Sequence, residues 1–411
     1  MKITVVALES PFPPIHGGRV DIWRRLQVLS ELGVSIQLIY WAKAKLDSED
    51  EQKLATVVDS SHMLELNGSS FMSLLRKISF FSRYPLEISS RMVCGQDLRD
   101  LKAAVKSFSP DVVMIDHLHG CMAGRQLSKY LQVPLILRSH NIEHLYCKNL
   151  YASAQGYRKL VRLLSLNGLE KLEKETLTEC SAFYDISVDD LEYWRSLGFK
   201  HGRFLPPTIN LAEMKLAQYN STSKNTQEEF DVVFLGNLNT ENNVAGLVWF
   251  LTEVAPRLKD KEPDIKILIS GSNPVRKIID ICASLDYVTL IANPKSAADI
   301  YRSGRVLINP MAVGGGVSIK AIDMLSAARP IVTLPKGVGG LPERSKSLFY
   351  IAEDSESFAE KILFCLHEHL DNVADYSLLD DLFGIEQIKT FIKDLEENVL
   401  TTQPDKVLAS K

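Results

Sequence analysis

The chain lacks a CxxC pair, and its six cysteines (Cys94, Cys121, Cys147, Cys180, Cys282, Cys365) are scattered without close pairing. That excludes a legible zinc knuckle or disulfide scaffold and suits a reducing compartment, with the thiols serving as small core residues. No apolar run reaches the ~20 residues of a membrane-crossing helix. The opening MKITVVALESPFPP meets a carboxylate and prolines after a short apolar run, so it reads as a first β-strand and not a signal peptide. A cytoplasmic location is expected. Positive charge is not in excess, since 47 Lys and Arg against 51 Asp and Glu leave −4, and no global field points to nucleic acid. Internal repeats, long low-complexity segments and the GxGxxG dinucleotide fingerprint are also missing.

What is present is alternation. At 411 residues the chain is too long for one ordinary core. Short apolar runs at 3–8, 34–40, 111–116, 134–139 and 182–187 alternate with amphipathic helical stretches. The pattern restarts at Asp231, with runs at 231–236, 265–271, 288–292, 305–310 and 330–335. Runs this apolar suit strands buried on both faces of a parallel sheet. The expected fold class is α/β, with two doubly wound, Rossmann-like parallel-sheet domains facing a cleft. A first domain at 1–210 leads through a polar linker at 211–230 to a second at 231–383. Residues 384–402 carry Ile385, Ile388, Phe391, Ile392 and Leu395 at helical spacing and are expected to pack back on the first domain, and 403–411 reads as a disordered tail.

Sheets of this kind bind ligands beyond the strand carboxyl ends, and polar motifs collect there. Gly17 and Gly18 open a helix whose apolar face reads Val20, Trp23, Leu26, Val28, Leu29 and Leu32. Asp116, His117 and His119 end the third apolar run. HxH is a possible metal pair, but no third Cys or His lies at ligand spacing, so no metal is expected. Arg138, His140, Asn141, Glu143 and His144 follow the next run, with more hydrogen-bonding capacity than a turn requires. Ser139 or Asn141 can also cap the following helix. In the second half, Gly236, Asn237, Asn239, Asn242 and Asn243 follow a strand, and capping is the simpler use of any one asparagine. GGGVSIKAIDMLSAARP (314–330) then runs three glycines into a helix. Free amides and the helix dipole favour an anion there, and glycine admits it without a Cβ; a tight turn is the alternative. Lys320, near that helix start, opposes the dipole unless it faces an anion.

In this order and spacing, PPIHGGRVDIWRRLQVLSELG, DVVMIDHLHG, RSHNIE, FLPPTIN, GNLNTENNVAGLVWF, GGGVSIKAIDMLSAARPIVT and GGLP resemble retaining GT-B glycosyltransferases. That group includes glycogen synthases and lipopolysaccharide and exopolysaccharide sugar transferases. The resemblance implies a nucleotide-sugar donor, UDP- or GDP-linked, with its diphosphate on the amides around Gly315, Gly316, Val317 and Ser318. Gly17, Gly18, Gly236, Asn237, Asn242 and Lys320 would complete the donor site, and Asp323 would contact the ribose. His117 is the candidate histidine near the reacting sugar, with Asp116 and His119 as rivals. His119, Arg138, His140, Asn141 and Glu143 would face the acceptor.

Three positions depart from the group. Gly315 stands where its first acidic residue falls, and Asn237 and Asn242 stand where it carries Arg and Lys. Lys320 would supply one charge in their place. Neither a metal nor a cofactor is implied. The implied reaction moves a hexose, with retention, to a saccharide or lipid-linked acceptor in bacterial glycan assembly. The alternatives are a nucleotide-sugar epimerase of the same architecture, or a degenerate nucleotide- or glycan-binding subunit. Basic and apolar residues also interleave at 71–92 and 157–175, which suits either peripheral contact with a membrane or a core helix with a solvated edge.

Overall fold

The computed structural model describes residues 1–14, 17–66, 84–209, 229–311, 317–368 and 376–401. The chain divides into two compact units, with one boundary at Pro206/Pro207 and the other at Glu386/Gln387. The first unit holds residues up to Pro206 together with the described residues from Gln387 onward.

Its sheet contains β1 (Lys2–Ala7), β2 (Ser35–Ala42), β3 (Ser60–Glu65), β4 (Val112–Asp116), β5 (Leu135–Ser139), β6 (Ala182–Asp185) and β7 (Gly202–Phe204), all parallel, in the order 3-2-1-4-5-6-7. Strand period 2 divides each strand between two core layers. Along β4, Val113 and Ile115 enter one layer, and Val112 and Met114 the other. The helix Ile385–Asp394 and the helical turn Leu395–Val399 that follows it add Ile388, Phe391, Leu395 and Val399 to the second layer. Phe391 meets the Tyr184 ring edge-on at 4.8 Å, while Asp394 accepts from the Tyr184 hydroxyl and pairs with Arg203 at 2.7 Å.

The second unit repeats the plan with β8 (Phe230–Asn237), β9 (Ile267–Ser272), β10 (Val288–Ala292), β11 (Gly304–Asn309), β12 (Ile331–Thr333) and β13 (Tyr350–Ile351), parallel throughout, in the order 10-9-8-11-12-13. Val232 and Phe234 face one layer, and Val233 the other.

All ten expected runs are strands. The sequence missed β3, β7 and β13, which lie toward or at the sheet edges; β3 is largely polar, and the other two span only three and two residues. Residues 211–228 of the expected linker, 71–83 of the basic segment and the tail 403–411 lie outside the described residues.

In each unit the strand order reverses direction once, between β1 and β4 and between β8 and β11. The crevice beyond the carboxyl ends of those strands is where doubly wound sheets take ligands.

Candidate functional site

In the first unit, β4 ends at Asp116 and the chain turns sharply. His117 takes φ 79°, a left-handed conformation that is uncommon for a residue with a Cβ and marks a position held by its surroundings. The next helix, Cys121–Leu131, lies tight on the strand: a Cβ on Gly124 would sit 2.4 Å from Ile115 Cγ1. Glycine there keeps the HxH turn pressed against the strand end.

Beneath the turn is a buried charge network. Asp116 accepts from Arg25 and, at 2.7 Å, from His140 Nε2. Asp21 accepts from Arg25 at 3.1 Å and from Arg138 at 2.9 Å. Arg138 also donates to the carbonyls of Leu205 (3.2 Å) and Pro206 (3.1 Å), at the end of this unit. Burial alone would raise the Asp116 carboxyl, but Arg25, the His140 hydrogen bond and Arg138 outweigh it and hold the group well below the usual carboxylate range. Burial and the like charge of Arg25 bring the Arg138 guanidinium down to about 10, still charged near neutrality.

The sequence missed this network. Asp21 and Arg25 are buried on the helix Gly17–Glu31, where Val20 and Val28 were expected inward. Their i,i+4 spacing and opposite signs were the available signal. Arg138, expected at the acceptor, is fully buried and spends its donors on Asp21 and two carbonyls, so its influence on a ligand runs through the residues it braces.

Above the network the polar groups are neutral. The Nδ1 atoms of His117 and His119 lie 2.7 Å apart, and His117 Nε2 lies 3.3 Å from Glu143 Oε1. The His117 and His140 rings stack with centroids 5.3 Å apart. Burial and the neighbouring imidazoles push His117 well below its ordinary value, while burial and Arg91 bring His119 to about 3. Each ring therefore has one N–H, and one of the two facing Nδ1 atoms donates while the other accepts. Burial, then Glu173, raises Glu143 to about 8, so it carries a proton at neutral pH. Such a neutral cluster suits the hydroxyls of an uncharged ligand better than an anion.

Glu173 is the hidden support. It accepts from the backbone amides of Glu143 (2.8 Å) and His144 (3.1 Å) and from His144 Nδ1 (2.6 Å). The helix Glu143–Ser153 is thereby capped from 30 residues away, which corrects the expectation of a cap by Ser139 or Asn141. The structure also supplies the third ligand that sequence spacing did not show. Ligand atoms of His117, His119 and Glu143 lie within 4.8 Å of one another, the one such trio among the described residues.

In the second unit, β8 ends at Gly236 and Asn237, and the helix Glu241–Trp249 follows. Asparagine does not cap that helix; Thr240 stands at the cap, and its hydroxyl donates back to the Asn237 carbonyl at 3.2 Å and caps no helix amide. Instead Asn237 Oδ1 accepts from the Asn239 amide, and Asn243 Nδ2 donates to the Asn237 carbonyl at 2.9 Å. Asn242 is exposed. Across the reversal point, after β11, the helix Ile319–Leu325 carries Lys320. Its ammonium donates to Asn243 Oδ1 at 3.3 Å and sits 4.3 Å from the centre of the Phe234 ring. Burial alone lowers its pKa, to about 7. The sequence singled out Lys320 as a stand-in for charges absent at Asn237 and Asn242, and the residue that touches it is Asn243, one of the asparagines read there as a cap. Ser318 caps the helix by accepting from the Ala321 amide at 3.3 Å, with Val317 and Asp323 part-buried around it. Gly17 and Gly18 open the first-unit helix; Gly315 and Gly316 lie outside the described residues.

Comparison with known proteins follows this division. Residues 229–368 match the family model described as glycosyl transferases group 1. A Klebsiella pneumoniae protein described as an uncharacterized 44.6 kDa protein in cps region is 27% identical over 374 residues, covering 88% of this chain and 90% of that one. Sucrose-phosphate synthase from Thermosynechococcus elongatus superposes with a TM-score of 0.67 at 15% identity, over 98% of this chain and 99% of that one. HepE of Anabaena, solved in complex with UDP, superposes at 0.62 with 11% identity, over 96% and 99%. The second unit thus carries a stretch that matches group 1 glycosyl transferases, and the chain as a whole has the GT-B fold of these structures.

Proposed function

We propose that the protein is a retaining glycosyltransferase that takes its sugar from a nucleotide diphosphate donor bound at the second unit. The observation that carries this is Lys320, a half-buried residue at the strand-order reversal whose ammonium meets, among the described residues, an amide oxygen and an aromatic ring. A cation desolvated beside neutral groups gains from an anion, and a diphosphate is the anion that group 1 transferases handle. The UDP in HepE supports a uridine donor, and the cps region of the Klebsiella relative supports a role in polysaccharide biosynthesis.

The acceptor is assigned to the first unit, where neutral His117, His119 and Glu143, with the His140 ring stacked on His117, offer hydrogen bonds to sugar hydroxyls. In the proposed step the anomeric carbon–oxygen bond to the diphosphate breaks as the acceptor oxygen bonds to the same face. The acceptor proton passes to a departing phosphate oxygen. Lys320 stabilises the developing charge, a role for which loss of one donor costs about 10²–10³ in rate at comparable oxyanion sites. Metal independence belongs to this reading and is tested by assay with chelator.

A thermal-shift screen of the wild type and Lys320→Ala against UDP, GDP, dTDP, ADP and their sugar forms tests the donor site. Ligand at a hundred times its Kd stabilises by ~2.7 kcal/mol. A shift with one nucleotide class, reduced in the variant, is expected. A shift of equal size in both proteins removes Lys320 from the donor site.

A further inference from the structure

We infer that the helix Gly156–Leu166 of the first unit docks on an anionic lipid surface. Tyr157, Leu160 and Leu163 are 79%, 55% and 49% exposed, and their spacing of three places them along one side of the helix. The other side holds the helix to its unit: Ser165 is buried there and donates its hydroxyl to Glu87. The helix is thus anchored, and it turns three large apolar side chains to solvent beside the exposed Arg158 and Lys159, where an ordinary surface helix shows polar residues alone.

Charge identifies the occupant. The helix carries Arg158, Lys159 and Arg162 and no acidic residue, in a chain whose net charge is −4. The closest acidic residue in the following helix, Glu170, is already engaged by Lys148 at 3.2 Å and Lys174 at 2.8 Å. Lys159 Nζ lies 5.1 Å from the Tyr151 ring centre, its ammonium flanked by aromatic surface. Leucine and tyrosine at the headgroup level, with arginine and lysine reaching lipid phosphates, is the arrangement of an interfacial helix. No helix among the described residues is long and apolar enough to cross a membrane, so contact would be peripheral. The inference stands apart from the donor assignment, because it concerns a different face and needs no nucleotide.

The test is sedimentation of the full chain with vesicles of phosphatidylcholine, with and without phosphatidylglycerol. The wild type is expected to sediment with the anionic vesicles at low salt and little with the neutral ones. Arg158→Glu combined with Lys159→Glu should lower the partition coefficient about tenfold or more. Tyr157→Ser, Leu160→Ser and Leu163→Ser together should abolish binding with the melting temperature unchanged. Equal binding by wild type and the triple variant overturns the proposal and moves the lipid contact elsewhere, residues 71–83 first. Absence of wild-type binding overturns it as well. So does a concentration-dependent dimer in sedimentation velocity that the triple variant lacks, which would make the face a protein contact.

Discussion

The two strand-order reversals have the same topology and opposite electrostatics. At the first, two guanidinium groups (Arg25, Arg138) face two carboxylates (Asp21, Asp116), all buried and mutually bonded. At the second, one amine rests against an amide and a ring. The first is balanced in charge, two against two, and has little to gain from a charged ligand. The second holds a cation whose charged form is penalised until an anion arrives. Equal topology therefore fixes where ligands bind, while the sign and pairing of buried charge decide which kind.

The comparison breaks most sharply by unpairing a charge on each side. Arg25→Met leaves Asp21 and Asp116 short of a partner inside the core, and removing one member of a buried ion pair costs about 3–5 kcal/mol. The urea midpoint should fall accordingly. If Arg25→Met is as stable as wild type, the four charges do not depend on one another. Lys320→Met makes the contrasting case, because it removes a desolvated amine without stranding a carboxylate. Its stability should stay within about 1 kcal/mol of wild type, while nucleotide affinity falls about 10–100-fold with the loss of a charge-assisted contact. Isothermal titration reads the affinity, and a large loss of stability with unchanged affinity would assign Lys320 to the core.

Much of the fold was legible because buried parallel strands are the loudest signal a sequence carries. Ten of the thirteen described strands were found, the edge strand β10 among them; β3, β7 and β13 were not, since an edge strand of two or three residues, or one that is half polar, has little periodicity to read. The sites were legible by position and less so by partner. Asp116, His117, His140, Glu143 and Lys320 were each singled out at strand ends, yet their contacts come from elsewhere. Arg25 reaches Asp116 across 91 residues, Glu173 reaches Glu143 across 30, and Asn243 reaches Lys320 across 77. Spacing along the chain reveals neighbours on one helix or strand, and these pairs are made by packing. Asn243 is one such miss: read as one of four possible caps, it is the residue that meets Lys320.

The neutral cluster above the first network sharpens the contrast through pH. Glu143 is raised from 4.5 to about 8 by burial and Glu173, so the fold binds its proton more tightly than the unfolded chain does. The stability this contributes is fully present below about pH 4.5 and is lost as pH rises through about 8. Asp116 has the opposite sign: its contribution is present above its unfolded value and is lost only in strong acid, so it is constant across that window. Glu143→Gln should therefore flatten the decline in urea midpoint between those two values. An unchanged slope would mean that other groups set it.

The smallest expected effect is the most specific to the second site. With its pKa near 7, Lys320 is about half protonated in the free protein at neutral pH. A bound diphosphate favours the charged form, so binding at that pH should take up about half a proton, less in acid and nearly a whole one by about pH 9. The ligand to use is a nucleotide sugar, the donor proposed above, whose esterified diphosphate does not itself titrate in this range. Binding enthalpies measured in buffers of different ionisation enthalpy give the uptake directly, and affinity should weaken as pH rises above 7. Lys320→Met should bind without uptake. If the variant takes up the same fraction, the proton goes to another group, and the second reversal is no longer a cation waiting for its anion.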